Sequence, residues 1–292
     1  MAVNSLHIEL LHACPLSCAA CDHRLRGGAR LPRAALDAVL RDPAFSGLRL
    51  ASFSGGEPLL YPGLAKVLTA AARAWPDAAL VLLTSLYLPG KALSLLRRLP
   101  PAVLRRLHIG SSLDGPGPVH DALRGRPGAF AALRMALAKI KREFPGVSAG
   151  LTFTATSRNA AVFHETWNEA RAMGVPLGVQ FLVPNDNTAG LELDAAARKA
   201  LSAGLRRALE ATASASPQAA DLRQALGFLG GGPTAACGAG VTFLMLAPEG
   251  EFYLCPFHKE IKAPLNAPGA LRPPAAGYRG RFCAECFLRC AQ

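Results

Sequence analysis

Short apolar runs and longer stretches of helical periodicity alternate along the chain. Residues 6–11 (Leu6-His7-Ile8-Glu9-Leu10-Leu11) read as a first strand, and residues 48–53, 79–84, 104–112, 147–156 and 177–183 read as five more. Between them, residues 31–41, 62–75, 90–98, 126–143 and 160–173 carry helical periodicity, the first with Pro32 at an early helical position. Strands that alternate with helices imply a parallel sheet with right-handed crossovers. Two further helical stretches, 194–212 and 217–229, run up to Gly230-Gly231-Gly232-Pro233, a boundary signal. Beyond it, residues 241–246 and 251–254 form two strands about the turn Pro248-Glu249-Gly250, a β-hairpin. The expected division is an α/β core over 1–185, a helical connection over 186–232 and a small C-terminal domain over 233–292.

Composition narrows the class. The chain has 292 residues, of which 51% are hydrophobic and 7% aromatic, so it can bury a large core. No apolar run reaches the ~20 residues that span a bilayer, and no basic segment followed by a cleavable apolar one opens the chain. The expectation is a cytoplasmic protein without a membrane partner. The formal charge is +12, but the basic residues are scattered singly and in pairs such as Arg97-Arg98 and Arg206-Arg207. They read as solvated helix faces and not as a nucleic-acid surface. An acidic electron donor or an anionic substrate would also suit them.

The eight cysteines fall into two groups, three near the start and five after residue 236, which points to metal and not to a disulfide framework. Cys14, Cys18 and Cys21, spaced C-x3-C-x2-C, follow the first strand directly. Three thiolates can hold three irons of a 4Fe–4S cluster and leave the fourth iron open. Zinc, with His23 as a fourth ligand, is the alternative. The second strand ends in Ser54-Gly55-Gly56-Glu57-Pro58, where glycines allow close backbone approach and a carboxylate can take a cationic amine.

The cysteine triplet followed by this GGEP turn resembles the radical S-adenosylmethionine (radical SAM) superfamily, and six βα units resemble its partial (β/α)6 barrel. The resemblance implies a 4Fe–4S cluster on Cys14, Cys18 and Cys21, with SAM bound by residues 54–58. Ser111-Ser112-Leu113-Asp114-Gly115-Pro116, then His120-Asp121 and Arg124-Gly125, is similar to a stretch of the SPASM subfamily. That similarity implies that Ser112 and an arginine hold the SAM carboxylate or ribose, with Arg124 the first choice and Arg134 the second, and makes Asp114 a further cofactor-binding candidate. Capping is the plainer role for Asp114 and Asp121. Thr84-Ser85-Leu86 stands where the family has Thr-Asn-Gly, and Ala20 replaces an aromatic residue before the third cysteine. Thr84 and Ser85 are kept as cofactor-binding candidates. Thr154 and Gln180, with Thr152 and Asn185, can line the cavity. His7, His108, His164 and His258 read as ordinary satisfied or exposed histidines.

The C-terminal cysteines, Cys237, Cys255, Cys283, Cys286 and Cys290, resemble a SPASM or shorter twitch domain with one auxiliary 4Fe–4S cluster. By that resemblance Cys237, Cys255, Cys283 and Cys286 are its ligands, with Cys290 able to replace one of the pair; a structural zinc is the alternative. The implied chemistry begins with an electron from flavodoxin or ferredoxin and cleavage of SAM to a 5′-deoxyadenosyl radical. Hydrogen abstraction from substrate follows. The outcome is oxidation or a cross-link through the auxiliary cluster, or epimerisation with a cysteine as hydrogen donor, for which Cys290 is the candidate. The substrate expected is a ribosomally made peptide; a small natural product such as an aminoglycoside is the alternative, and a non-catalytic Fe–S or zinc protein the distant one.

Overall fold

The computed structural model describes residues 3–232, 237–268 and 286–287. The alternation read from the sequence is present. Strands β1 (Ser5–Glu9), β2 (Leu50–Ser54), β3 (Ala79–Leu83), β4 (Leu107–Ser112), β5 (Ser148–Ala155) and β6 (Leu177–Phe181) pair in parallel with their neighbours in sequence. Helices α1 (Arg33–Arg41), α2 (Leu64–Ala74), α3 (Pro89–Arg97), α4 (Pro101–Leu104), α5 (Gly117–Arg124), α6 (Ala129–Glu143) and α7 (Phe163–Ala172) make the crossovers. The fold is α/β, a partial (β/α)6 barrel carrying C-terminal hairpins.

Period-two alternation sets the two faces of each strand. In β1, Leu6 and Ile8 are fully buried in the core shared with Phe45, Phe53, Val67 and Leu68. His7 and Glu9 take the opposite face, where polar groups meet. His7 Nδ1 lies 2.8 Å from Ser52 Oγ and its Nε2 2.6 Å from Ser54 Oγ. The other histidines of that reading are also partnered: His108 with Ser148, His164 with Asn168 and His258 with Glu260.

Helices α8 (Ala195–Glu210) and α9 (Pro217–Leu229) pack together and lead to β7 (Phe243–Leu246), β8 (Glu251–Cys255) and β9 (His258–Pro264). The hairpin is joined edge-on to the barrel sheet. β7 runs parallel to β1, with Leu6 opposite Leu244, and β8 and β9 continue antiparallel, giving one nine-stranded sheet in the order β6-β5-β4-β3-β2-β1-β7-β8-β9. Phe252 seals the junction against Phe45 with ring centroids 5.6 Å apart.

Three elements differ from the sequence expectation, the first being the short helix α4, which takes the start of the run read as the fourth strand. Helix α5 stands apart from α6 because Gly125, in the left-handed region at φ 64°, ends it, while Asp121 accepts from the Gly128 and Phe130 amides to start α6. Strand β9 is an unexpected third strand, half polar along its length. Among the described residues no helix is long and apolar enough to cross a membrane.

Candidate functional site

The cysteine loop leaves β1 at its C-terminal end and is gripped from three sides. The first grip is the turn after β2, where Leu10 N donates to Ser54 O, Gly56 N to Leu11 O at 2.6 Å and Glu57 N to Ala13 O at 2.9 Å. A Cβ on Gly55 (φ 137°) would sit 2.4 Å from Leu11 O, and one on Gly56 2.3 Å from His12 O. Both glycines are therefore required by backbone packing against the cysteine loop itself.

The second grip is the end of α5. Ser17 N donates to Arg124 O and Ala19 N to Leu123 O at 2.8 Å, and a Cβ on Gly125 would lie 2.3 Å from Ser17 O. The third comes from the segment after β6. Asn187 Nδ2 reaches the carbonyls of Cys18, Ala19 and Cys21 at 3.3, 2.9 and 2.9 Å, and Asn185 Nδ2 reaches Ala20 O at 3.1 Å. Asn185 Oδ1 also accepts from the Asn187 backbone N–H, so the first side chain steadies the backbone that carries the second. Sequence reading had Asn185 as a cavity residue and missed Asn187 altogether.

Cys14, Cys18 and Cys21 are half-buried and form no disulfide. Burial pushes the Cys14 thiol up to about 11, against a lowering hydrogen bond from the Leu16 backbone, and burial raises Cys21 as well. Any metal taken by these thiols must therefore displace protons. Among the described residues no group of three His, Cys, Asp or Glu side chains is gathered closely enough to hold a metal ion. Three thiols on one clamped loop with an adjoining polar cavity nonetheless fit a cluster that keeps one iron open.

That cavity, about 230 Å³, lies beneath the loop and is lined by Cys18, Cys21, Ser112, Asp114, Arg124, Thr154, Gln180 and Asn185. Asp114, 5% exposed, accepts from Thr154 N at 3.0 Å and pairs with Arg124. Arg124 Nη1 also points to Cys18 Sγ at 3.8 Å, while its buried Nε has no partner. Burial works against the guanidinium charge, but Asp114 and then the Cys18 sulfur more than restore it, so Arg124 is held cationic above its ordinary value. A cation with a spare buried donor suits an incoming carboxylate. Arg134 does not line the cavity: it is exposed and lies over the Phe130 ring, 5.6 Å from its centroid. This corrects the second-choice assignment, because α6 turns that face outward.

Ser54, Gly55, Gly56, Glu57, Pro58, Thr84 and Ser85 lie outside the cavity lining. Glu57 is fully buried, and its carboxylate accepts from Leu59 N (3.1 Å), Thr84 Oγ1 (2.6 Å), Ser85 N (3.0 Å) and the Ser85 hydroxyl. The Thr84-Ser85 pair thus has a structural partner. Leu86, next in line, sits in the left-handed region at φ 56° although fully buried, a conformation a glycine would adopt without strain.

In the C-terminal group Cys237 is exposed, Cys255 buried and Cys286 half-buried; Cys283 and Cys290 lie outside the described residues. Phe287 packs on Phe181 and Phe228, with centroids 4.8 and 4.9 Å away. Tyr253, two residues before Cys255, has its hydroxyl raised well above 10 by burial and then by Glu9.

Comparison with known proteins agrees with this geometry. Residues 8–172 match the radical SAM superfamily. Over 72 residues the chain is 43% identical to the PqqA peptide cyclase of Gluconobacter oxydans (strain 621H), a match covering 24% of this chain and 20% of that protein. Among solved structures, anSMEcpe with bound AdoMet superimposes with a TM-score of 0.65 at 17% identity, covering 87% of this chain and 74% of that one. Streptococcus suis SuiB bound to its precursor peptide SuiA gives 0.62 at 15%, covering 87% and 60%. These likenesses share the fold described above. With the superfamily match running from β1 into α7 and the clamped cysteine triplet at its head, the chain belongs to the radical SAM superfamily.

Proposed function

We propose that this enzyme binds a 4Fe–4S cluster on Cys14, Cys18 and Cys21 and SAM in the cavity beneath them, and abstracts a hydrogen atom from a ribosomally made peptide. The observation that carries the reading is the gathering of two of the three thiols, Arg124 and the polar side chains of β4, β5 and β6 around one cavity. When bound, the reduced cluster and SAM supply a 5′-deoxyadenosyl radical.

The chain's own groups divide the remaining work. The three thiolates hold iron, and the Asn185–Asn187 amides and the α5 terminus fix the loop that carries them. Arg124 takes the SAM carboxylate through its unpartnered Nε while Asp114 keeps it in place. Ser112, Thr154 and Gln180 offer polar contacts to the rest of SAM or to substrate. Glu57 already has four protein donors, so contact with the methionyl amine requires a rotatable hydroxyl of Thr84 or Ser85 to turn away. The peptide class is supported by the names of the matched proteins, a peptide cyclase and a precursor-peptide enzyme. The auxiliary cluster is assigned to four of Cys237, Cys255, Cys283, Cys286 and Cys290. Held there, such a cluster would supply one-electron redox chemistry toward the substrate radical; a thiol left unligated, Cys290 first, would be the hydrogen donor if the product is an epimer.

The test is anaerobic reconstitution followed by iron analysis and assay of 5′-deoxyadenosine. Cys18→Ala should abolish 5′-deoxyadenosine while leaving about four irons on the C-terminal cysteines. Full SAM cleavage by that variant would overturn the proposal.

A further inference from the structure

In a closed barrel of parallel strands the inward side chains interlock and fill the middle. Here Leu107, Ile109, Leu151, Phe153, Leu177 and Val179 pack into the core beneath the helices, which turns the residues between them to the inner, concave face. Each of β4, β5 and β6 has one glycine among those inward positions: Gly110, Gly150 and Gly178. Gly110 stands opposite Gly150 in the β4–β5 register, and Gly178 opposite Thr152 in the β5–β6 register. Glycine is disfavoured in strand interiors, where it often marks close approach of a ligand or another backbone. Two of the three make room for neighbours. A Cβ on Gly110 would lie 2.5 Å from Leu83 Cδ2 and one on Gly150 3.0 Å from His108 Nε2, so Leu83 and His108 lie flat along the sheet. Gly178 accommodates no side chain: the one atom within 4 Å of an added Cβ is Leu151 O, 3.8 Å away.

This concave face is open and uncharged. Strands β2 to β6 contain no Asp, Glu, Lys or Arg at any position. His7 and His108 stand on the face with pKa values lowered by burial, so both are neutral near pH 7. Gly110, Gly150, Thr152 and Gly178 stay partly accessible, and Leu83, 39% exposed, offers an apolar side chain. The face also runs into the cavity beneath the cysteine loop. Ser112, Thr154 and Gln180, which line that cavity, lie two residues beyond Gly110, Thr152 and Gly178 on the same strands. At ~3.3 Å per residue the glycine level lies roughly 7 Å below the cavity lining.

We infer that this bowl, floored by Gly178 and walled by Leu83, takes an uncharged side chain of the substrate with an apolar body, an aromatic ring or a large aliphatic group. The inference rests on the proposed function and deepens it, because it names the class of residue that the peptide presents below SAM. A lysine or glutamate side chain would lose its water here and meet no counter-charge, which is costly. An aromatic ring carries no such penalty and can lie on a glycine backbone that no Cβ shields. Gly178 and Leu83 are thereby specificity-determining residues.

The experiment is photolabelling of the reconstituted full chain with SAM bound, using capped pentapeptides Gly-Gly-X-Gly-Gly. With p-benzoylphenylalanine as X, irradiation and peptide mapping should place the label on β3 to β6. Competing pentapeptides with Phe or Leu as X should suppress labelling at least roughly tenfold better than those with Lys or Glu. Gly178→Leu fills the bowl at a position where an added Cβ meets nothing closer than 3.8 Å, and should lower labelling about fivefold or more. Leu83→Asp keeps its carboxylate in contact with water and should make the Lys peptide the better competitor. Label on the outer helices or the C-terminal hairpin, or no label at all, would overturn the inference. So would equal competition by all four peptides, or a pattern left unchanged by both variants. Dithionite-driven 5′-deoxyadenosine formation by the parent is measured alongside. Normal cleavage with labelling elsewhere overturns the inference alone, whereas absence of cleavage overturns the proposed function and takes the inference with it.

Discussion

Glu57 and Asp114 are two carboxylates buried beside the same loop, and their surroundings differ in kind. Glu57 is ringed by neutral donors, two backbone amides and two hydroxyls, that fill its oxygens. Asp114 takes one amide and one cation, and that cation keeps a buried Nε unspent and touches a thiol. The first arrangement is closed and serves to shape the backbone. The second is open and can still bind. A buried polar group with every bond made stabilises architecture, whereas one left short of a bond marks where a ligand belongs.

The sharpest way to break the contrast is Glu57→Ala. It strands a buried amide, a half-buried amide and two hydroxyls at once, so it should cost about 3–5 kcal/mol of stability. Chemical denaturation of the apoprotein reads it directly, and a cost under about 1 kcal/mol would mean the ring of donors is not an anchor. Acid should separate the two sides next. His120, 2% exposed, accepts the Asp114 amide on Nδ1, and burial lowers its pKa to about 4 from an ordinary 6.5. Its neutral form is favoured by folding, so the contribution is complete above pH 6.5 and is lost as pH falls toward 4. The loss should approach on the order of 3 kcal/mol, and His120→Gln should flatten that part of the stability profile. If the slope survives the substitution, its source is elsewhere. The smallest expected effect is on binding. Arg124→Met should weaken SAM affinity by roughly 10- to 100-fold, or ~1.5–3 kcal/mol, in the reconstituted protein. Calorimetric titration giving an unchanged dissociation constant would show that the open side is not where SAM binds.

Much of this was legible in the residue order, for reasons that differ from place to place. Each of these strands buries alternate apolar residues and ends in a turn signal, so β2 to β6 fell within a few residues of where they were expected. Helix α5 was hidden because Gly115-Pro116-Gly117-Pro118 reads as a turn, and β9 because His258-Lys259-Glu260-Ile261-Lys262 carries charge on a strand at the sheet edge. At the site, the cysteine spacing and the two glycines are local signals. What the glycines contact is not local, and the amide clasp is less so. Asn185 and Asn187 resemble any loop asparagine until the fold brings them to carbonyls 165 to 169 positions earlier. The exchange of Thr-Asn-Gly for Thr84-Ser85-Leu86 was visible, but its meaning, two hydroxyls tied to Glu57 and a leucine held left-handed, was not.

The clasp also has a timetable. Cys21 leaves the ribosome 166 residues before Asn187, so at about 5–20 residues per second the cysteine loop waits roughly 10–30 s for its amides. During that interval its carbonyls have no side-chain partners from β6's far end, and only the turn after β2 and the end of α5 can hold the loop. Metal delivered to the nascent chain would meet a pliable segment, whereas metal delivered after release meets a finished socket. Maturation of this protein is thereby tied to completion of the sixth strand, and a chain truncated before residue 185 should emerge with its cysteines present and one of the three grips on them missing.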